Sequence, residues 1–372
     1  MTDKRLYQIA LTQINGVGVT LARNLMQYMG DEEAIFRGDV AKLSRIPRIS
    51  RRLIAEIRSS EVIYRAEREL NFAINNNIDI IFFTEDDYPA RLSNCIDAPI
   101  LLYSKGKNDF NRSKTISIVG TRNATRYGLE YCEEFVKKIS EKIPDIQIVS
   151  GLAYGIDVCA HRACLKYDVS TVGVLAHGLD RIYPFSHRET ALKMQGNGAI
   201  ISEFPSHTTP DRFNFVKRNR IVAGMSDAVL VFETRTKGGS LITADIANSY
   251  FREVFALPGR YGDEMSKGCN KLIAENKANI LEGVDEFILH MGWQEGNDNR
   301  YSKNTPKQTE LFIDLNEEER RIYNLLVDNN SMQINTMSIE LNTPVSELFM
   351  TLLELEMKNL IKSLPGGMYQ II

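Results

Sequence analysis

The sequence predicts an α/β fold built on a doubly wound, mostly parallel sheet, with a small all-helical segment before it and a helix-rich segment after it. Three observations carry this expectation. The middle of the chain holds six short, nearly continuous apolar runs, amphipathic helical patterns alternate with them, and small residues and cations recur where the runs end. Strands that are apolar along their whole length are buried on both faces, which a parallel sheet covered by helices provides.

Residues 1–77 read as short helices. Within them INGVGVTLARNLMQYMG (14–30) has the form of a helix-hairpin-helix element, in which a turn around Gly16 and Gly18 lets backbone N–H groups at a helix start meet a phosphate. LSRIPRISRRLIAEI (43–57) looks like a second, degenerate copy: proline and arginine replace the glycines, and Arg45, Arg48, Arg51 and Arg52 supply charge. Gly16, Gly18, Arg48 and Arg51 are the candidate auxiliary contacts to nucleic acid. A sterile-α-motif-like spacer is the alternative reading of this segment.

Residues 78–290 carry the strands ISIVG (116–120), IQIVSG (146–151), STVGVLA (170–176), AIISE (199–203), AVLVFE (228–233) and EVFALPG (253–259). Helical patterns such as GLEYCEEFVKKISEK (128–142) lie between them, and right-handed crossovers then give a Rossmann-like sheet. Ligands bind such sheets outside the carboxyl ends of the strands. Those ends are Gly120-Thr121-Arg122, Ser150-Gly151, Ala176-His177-Gly178 and Lys237-Gly238-Gly239-Ser240. Residues 291–315 are polar, unpatterned and contain Pro306, as a flexible linker would. Residues 316–372 read as a winged helix, with Pro365-Gly366-Gly367 as the wing turn.

The formal charge is −3, so an anion site must be local, built by a few cations in a near-neutral whole. The N-terminus lacks a signal-peptide pattern and no apolar run approaches the roughly 20 residues that span a bilayer, which points to the cytoplasm and away from a membrane. Five scattered cysteines fit reduced thiols. Cys159, His161 and Cys164 are close in sequence, but 159 and 161 face different sides of a helix, and no metal is expected.

VGTRNATRYG (119–128) places a glycine at a strand end, then Arg122 and Arg126. It is not GxGxxG, and the second strand ends in Ser150-Gly151 rather than in an acid for a ribose, so no dinucleotide cofactor is expected. SGLAYGIDVCAHRA (150–163) repeats the glycine device at Gly151 and Gly155. Ser150 with His161 could be drawn as nucleophile and base, but no orienting acid or oxyanion hole is identifiable, which argues against a hydrolase. FVKRNRIVAG (215–224) holds Lys217, Arg218 and Arg220, whose forks suit several phosphates. Lys237 then precedes Gly238-Gly239-Ser240 at a helix start, a ready anion site.

In this order, VGTRNATRYG, SGLAYGID, AHR, VLAHGLDRIYP, ISEFP, FVKRNRIVAG, KGGSLITA and ALPG resemble the DNA-processing protein family known as DprA or Smf, over roughly residues 86–280. The resemblance implies a sequence-independent single-stranded DNA binder of natural transformation and recombination, which passes DNA to the RecA recombinase and dimerises through its Rossmann-like domain. It implies no catalysis. The expected phosphate contacts are Gly120, Thr121, Arg122, Arg126, Ser150, Gly151, Lys217, Arg218, Arg220, Lys237, Gly238, Gly239 and Ser240, with Tyr127, Tyr154 and Phe213 as candidates for stacking bases. Family members often carry a lysine soon after the Tyr-Pro pair, where this chain has Phe185, His187 and Arg188.

The rival is a Rossmann-like nucleotide-processing enzyme of the phosphoribohydrolase type, whose PGGxGTxxE motif bears a catalytic glutamate. Here Leu241 and Ile242 stand where glycine and threonine belong, with Asp245 as the nearby carboxylate. In residues 316–372 four Lys and Arg oppose eight Asp and Glu, a net of 4 − 8 = −4, and the presumed recognition helix carries Glu347, Glu354 and Glu356. Such a helix is a poor phosphate reader, so this segment is expected to be a protein-interaction module.

Overall fold

A computed structural model describes residues 3–107, 109–294, 315–364 and 367–372. Its centre is a nine-stranded sheet: β1 (Asp79–Phe82), β2 (Leu101–Lys107), β3 (Thr115–Val119), β4 (Gln147–Ser150), β5 (Ser170–Val174), β6 (Gly198–Ser202), β7 (Ala228–Val231), β8 (Glu253–Ala256) and β9 (Asn279–Ile280), in the order β1-β2-β6-β5-β4-β3-β7-β8-β9. Pairing is parallel from β6 to β9, and β1 and β2 join antiparallel at one edge. The six expected strands are all present. The three additional ones lie at the edges, where β2 (LLYSKGK) mixes polar residues into its run and β9 is two residues long.

The alternation of side chains explains why the six central strands read as apolar runs. Along β7, Ala228 and Leu230 join one core while Val229 and Val231 join another on the opposite face. Helices Arg126–Lys142 and Ile156–Lys166 cover the first face, and Arg212–Gly224 and Gly239–Ser249 the second. The chain runs outward from β3 through β4 and β5 to β6, then returns to lay β7 beside β3. Between β3 and β7 the connections leave to opposite faces, which opens the sheet's carboxyl edge.

Six helices from Lys4–Thr12 to Ser60–Asn75 precede the sheet. Asp3, Asp31, Asp39, Ser50 and Ser59 cap five of them through side-chain oxygens. Their core continues beneath β1 and β2 through Phe82, Ile100, Leu101 and Tyr103. The two hairpins share one geometry. Val17 N donates to Ile14 O at 3.1 Å and Ile49 N to Ile46 O at 3.2 Å, and Gly16 (φ +89°) has its counterpart in Arg48 (φ +68°). The substituted copy therefore keeps the left-handed turn despite its side chain. It differs at the helix start, where Gly18 makes no side-chain cap while the Ser50 hydroxyl takes up the Leu53 N–H.

The C-terminal segment folds as helices Glu317–Asn329, Ile334–Glu340 and Val345–Met357 with β10 (Ser331–Gln333), β11 (Ile361–Leu364) and β12 (Met368–Ile371), sheet order β10-β12-β11. This is a winged helix; Pro365 and Gly366 of the expected wing turn, and residues 295–314 of the expected linker, lie outside the described residues. It docks on the large sheet's domain. The buried Arg252 guanidinium donates to Asn335 Oδ1 of the winged helix, to Arg91 O at 2.7 Å and to Gly224 O at 3.2 Å, while Phe251 stacks on Phe349 at 5.6 Å. Among the described residues no helix is long and apolar enough to cross a membrane.

Arg252→Ala should lower stability by about 1.5–3 kcal/mol, the range for deleting a hydrogen-bonded charged group, read as a lowered melting temperature. A shift equivalent to under about 0.5 kcal/mol, the size of an ordinary surface substitution, would show that this contact holds nothing together.

Candidate nucleic-acid interface

A cavity of about 780 Å³ lies where β3 and β7 part. Its first wall is the loop after β3. Thr121 N donates to Glu233 O at 2.6 Å, and the Glu233 carboxylate accepts from Thr125 N at 2.8 Å and Thr125 Oγ1 at 2.5 Å, so a buried acid fixes the course of residues 121–125. Gly155 (φ +76°) closes against this loop, and a Cβ there would collide with the Thr121 carbonyl.

The floor is Arg218. Its guanidinium is buried and donates to Gly151 O at 2.7 Å and to Val174 O, tying together the ends of β4 and β5. Gly151 has to be glycine for this, because a Cβ would meet the guanidinium at 2.5 Å. Burial above all, opposed by Asp157 and assisted by Arg122, lowers the Arg218 pKa to about 10, so the group remains a cation at neutral pH. Asp157, in the first turn of Ile156–Lys166, also lines the cavity; burial raises its pKa, against the pull of Arg218.

The opposite wall is the loop after β7. Gly238 N donates to Arg235 O at 3.1 Å, and the helix begins at Gly239 with no side-chain cap. Gly239 and Ser240 stand in the first turn of this helix, where N–H groups have no intrahelical acceptor, and among the described residues the buried Ser240 Oγ has no partner. Helix N-termini leave such donors open, and their dipole favours an anion. Arg122, Arg212, Arg235 and Lys237 line the same cavity and, among the described residues, form no ion pair. The Phe215 ring sits between two of the arginines, with Arg122 at 4.9 Å and Arg218 at 6.0 Å from its centroid.

Of the residues expected from sequence, Gly120, Thr121, Arg122, Gly151, Arg218, Lys237, Gly238, Gly239 and Ser240 meet here. Four do not. Arg126 is exposed on the next helix and pairs with Glu130 at 2.6 Å. The Ser150 hydroxyl is buried and donates to Ile118 O at 2.6 Å, while His161 bonds Thr171 Oγ1 at 2.7 Å, so no nucleophile–base pair forms. Lys217 and Arg220 both turn to Glu203, at 3.0 and 2.6 Å, and Arg220 also bonds Asp97 O. Arg218 itself is a buried tie across strand ends rather than a free fork. Gly16, Gly18, Arg48 and Arg51 lie on the N-terminal hairpins and are not among the residues lining this cavity.

Arg212, Arg235, Phe215 and Tyr183 line the cavity but were not among the expected contacts. Helical spacing carried a signal for two of them: positions 212, 215, 219 and 222 recur every three or four residues and all face the cavity, whereas 217 and 220 lie on the other side. Arg212 also supplies a cation near the Tyr-Pro pair, where Arg188 does not reach the cavity lining. Among the stacking candidates, Tyr127 donates to Pro258 O at 3.3 Å, Tyr154 packs edge-on to His187 at 5.0 Å, and Phe213 stands free at 82% exposure.

A family model described as DNA recombination-mediator protein A matches residues 79–292, and one described as the DprA winged helix domain matches residues 306–367. The Synechocystis protein Smf is 34% identical over 296 residues, covering 78% of this chain and 73% of that protein. The Bacillus subtilis DNA processing protein DprA is 39% identical over 211 residues, covering 56% of this chain and 70% of that protein. Among solved structures, DprA of Streptococcus pneumoniae has a TM-score of 0.60 at 27% identity, covering 78% of this chain and 97% of that one. The DNA processing protein A of Helicobacter pylori, whose structure is described as showing its single-stranded DNA binding mode, has a TM-score of 0.52 at 27% identity, covering 57% and 94%. The match of the recombination-mediator model takes in every strand of the large sheet and every wall of the cavity, and the chain belongs to the DprA/Smf family.

Proposed function

We propose that this chain binds single-stranded DNA by its phosphates at the cavity between β3 and β7, without reading base sequence. The observation that carries this is the convergence of four cations outside ion pairs with the open N–H groups and hydroxyl at Gly239-Ser240. Phosphate contacts of this kind position a strand and carry no sequence information. Tyr183 and Phe213 offer rings on which any base can stack. In this reading the protein is a cytoplasmic homodimer through its Rossmann-like domain that protects incoming DNA and loads RecA on it, as the family resemblance implies. It is a binder rather than an enzyme: Asp245 pairs with Lys277 at 3.5 Å outside the cavity, so the phosphoribohydrolase carboxylate is not in place.

Arg122→Ala and Arg235→Ala should each weaken oligonucleotide binding by about tenfold or more, since a charge-assisted contact is worth about 1.5–3 kcal/mol, and each should reduce the salt slope. Gly239→Glu should be harsher without unfolding the chain, because a Cβ at Gly239 meets nothing within 4 Å. Arg321→Ala on the winged helix is the control. Fluorescence anisotropy reads all four, and pocket variants that bind like the control would place the DNA elsewhere. Affinity should fall steeply as salt rises.

Binding should also strengthen as pH is lowered. Burial raises the Asp157 pKa, so as pH falls its carboxylate takes a proton earlier than an ordinary aspartate and removes a negative charge from the cavity. The same sign holds for folding: a carboxyl whose folded pKa is raised costs stability above that pKa and regains it as pH falls. Asp157→Asn should tighten DNA binding on the alkaline side of that rise and flatten the rise itself. Weaker binding by this variant, with the fold intact, would give the carboxylate a direct role in holding substrate.

A further inference from the structure

We infer that the outward face of the winged helix's third helix, Val345–Met357, is a docking surface for a basic amphipathic segment of a partner protein. This helix is apolar on two sides. Val345, Leu348, Leu352 and Leu355 fill its own domain's core. On the other side Phe349, Met350, Leu353 and Met357 are 39, 59, 43 and 76% exposed. Positions 349, 353 and 357 repeat every four residues, with 350 beside them, so the four form one stripe. A soluble domain's surface helix ordinarily carries one apolar stripe facing its own core, so a second, exposed stripe calls for a cover of its own. Phe349 stacks on Phe251 of the large sheet's domain, and Phe251 is itself 43% exposed, which extends the patch across the junction.

Charge selects the occupant. Glu347 and Glu354 are seven residues apart along the edge of the stripe, exposed, and in no ion pair among the described residues. The helix contains no Lys or Arg, and Lys358 just beyond it is held by Glu319 at 2.6 Å. A nucleic acid would bring like charge to this face, and a second copy would bring the same acidic helix. A helix with apolar anchors flanked by Lys or Arg satisfies both the stripe and the two carboxylates, and methionines such as Met350 and Met357 adapt to its side chains.

The test uses the full chain and two synthetic amphipathic peptides of about 18 residues, five helical turns, with identical leucine faces, one carrying lysines and the other glutamates on the polar face. The lysine peptide should bind, more weakly as salt rises, and Leu353→Lys and Met357→Lys should each reduce its affinity at least tenfold. Glu347→Gln with Glu354→Gln should reduce its affinity and its salt dependence. Oligonucleotide affinity should stay unchanged in all of these variants, which separates this surface from the phosphate cavity. Failure of the lysine peptide to bind, equal binding of the glutamate peptide, or full binding by both lysine variants would overturn the inference. So would self-association of the wild type that Leu353→Lys abolishes, which would assign the face to a second copy.

Discussion

Two parallel strands whose connections leave to opposite faces have to part at their carboxyl ends, and in this molecule β3 and β7 are that pair. The parting exposes strand-end carbonyls and helix-start N–H groups in one crevice, a mixture that would repel and attract an anion together. Arg218 resolves it. By donating to Gly151 O and Val174 O it caps the negative ends of β4 and β5 and leaves a positive floor. The donors of Gly239-Ser240 and the cations at 122, 212, 235 and 237 then act on a background that is no longer opposed. Because Arg218 is buried, replacing it would strand those carbonyls, a cost of about 1–3 kcal/mol for each unsatisfied group, and would disturb fold and site together.

The crevice is held from behind by further buried polar ties. Glu233 fixes the loop after β3. At the opposite end of the same strands Arg91 pairs with Asp227 at 2.7 Å and bonds Arg112 O and Ser113 O, while Asp227 accepts from Thr115 N at 3.0 Å. Both β3 and β7 are therefore pinned near their amino ends and free to diverge only where the cavity lies. A buried pair of this kind adds little net stability over apolar packing but is costly to break, which is the behaviour needed of a fixture that sets register.

The strands of the central sheet were legible because burial on both faces writes itself into the sequence as an unbroken apolar run. The glycine-marked strand ends were legible for the same kind of reason: close approach excludes a Cβ, as at Gly151 and Gly155. The charges were less so. A run such as Lys217-Arg218-Asn219-Arg220 names the cations but not their directions, and the helix sends 217 and 220 to Glu203 and 218 to backbone carbonyls. Arg235 and Arg212 were overlooked because each stands outside the glycine motifs. The turn at Arg48 was also hidden, since nothing in an arginine announces a left-handed backbone. Sequence patterns report what must be buried or small; partner choice among exposed charges is a tertiary property.

The most direct test of this account is a crystal structure of the chain with a short oligothymidylate. The account predicts a backbone phosphate about 3 Å from the Gly239 and Ser240 N–H groups, the hydrogen-bond distance, with the Arg122 and Arg235 guanidinium groups on the same or adjacent phosphates and the bases directed outward. An oligonucleotide found instead along the hairpins at Gly16 and Arg48, with the cavity between β3 and β7 empty of it, would contradict the account.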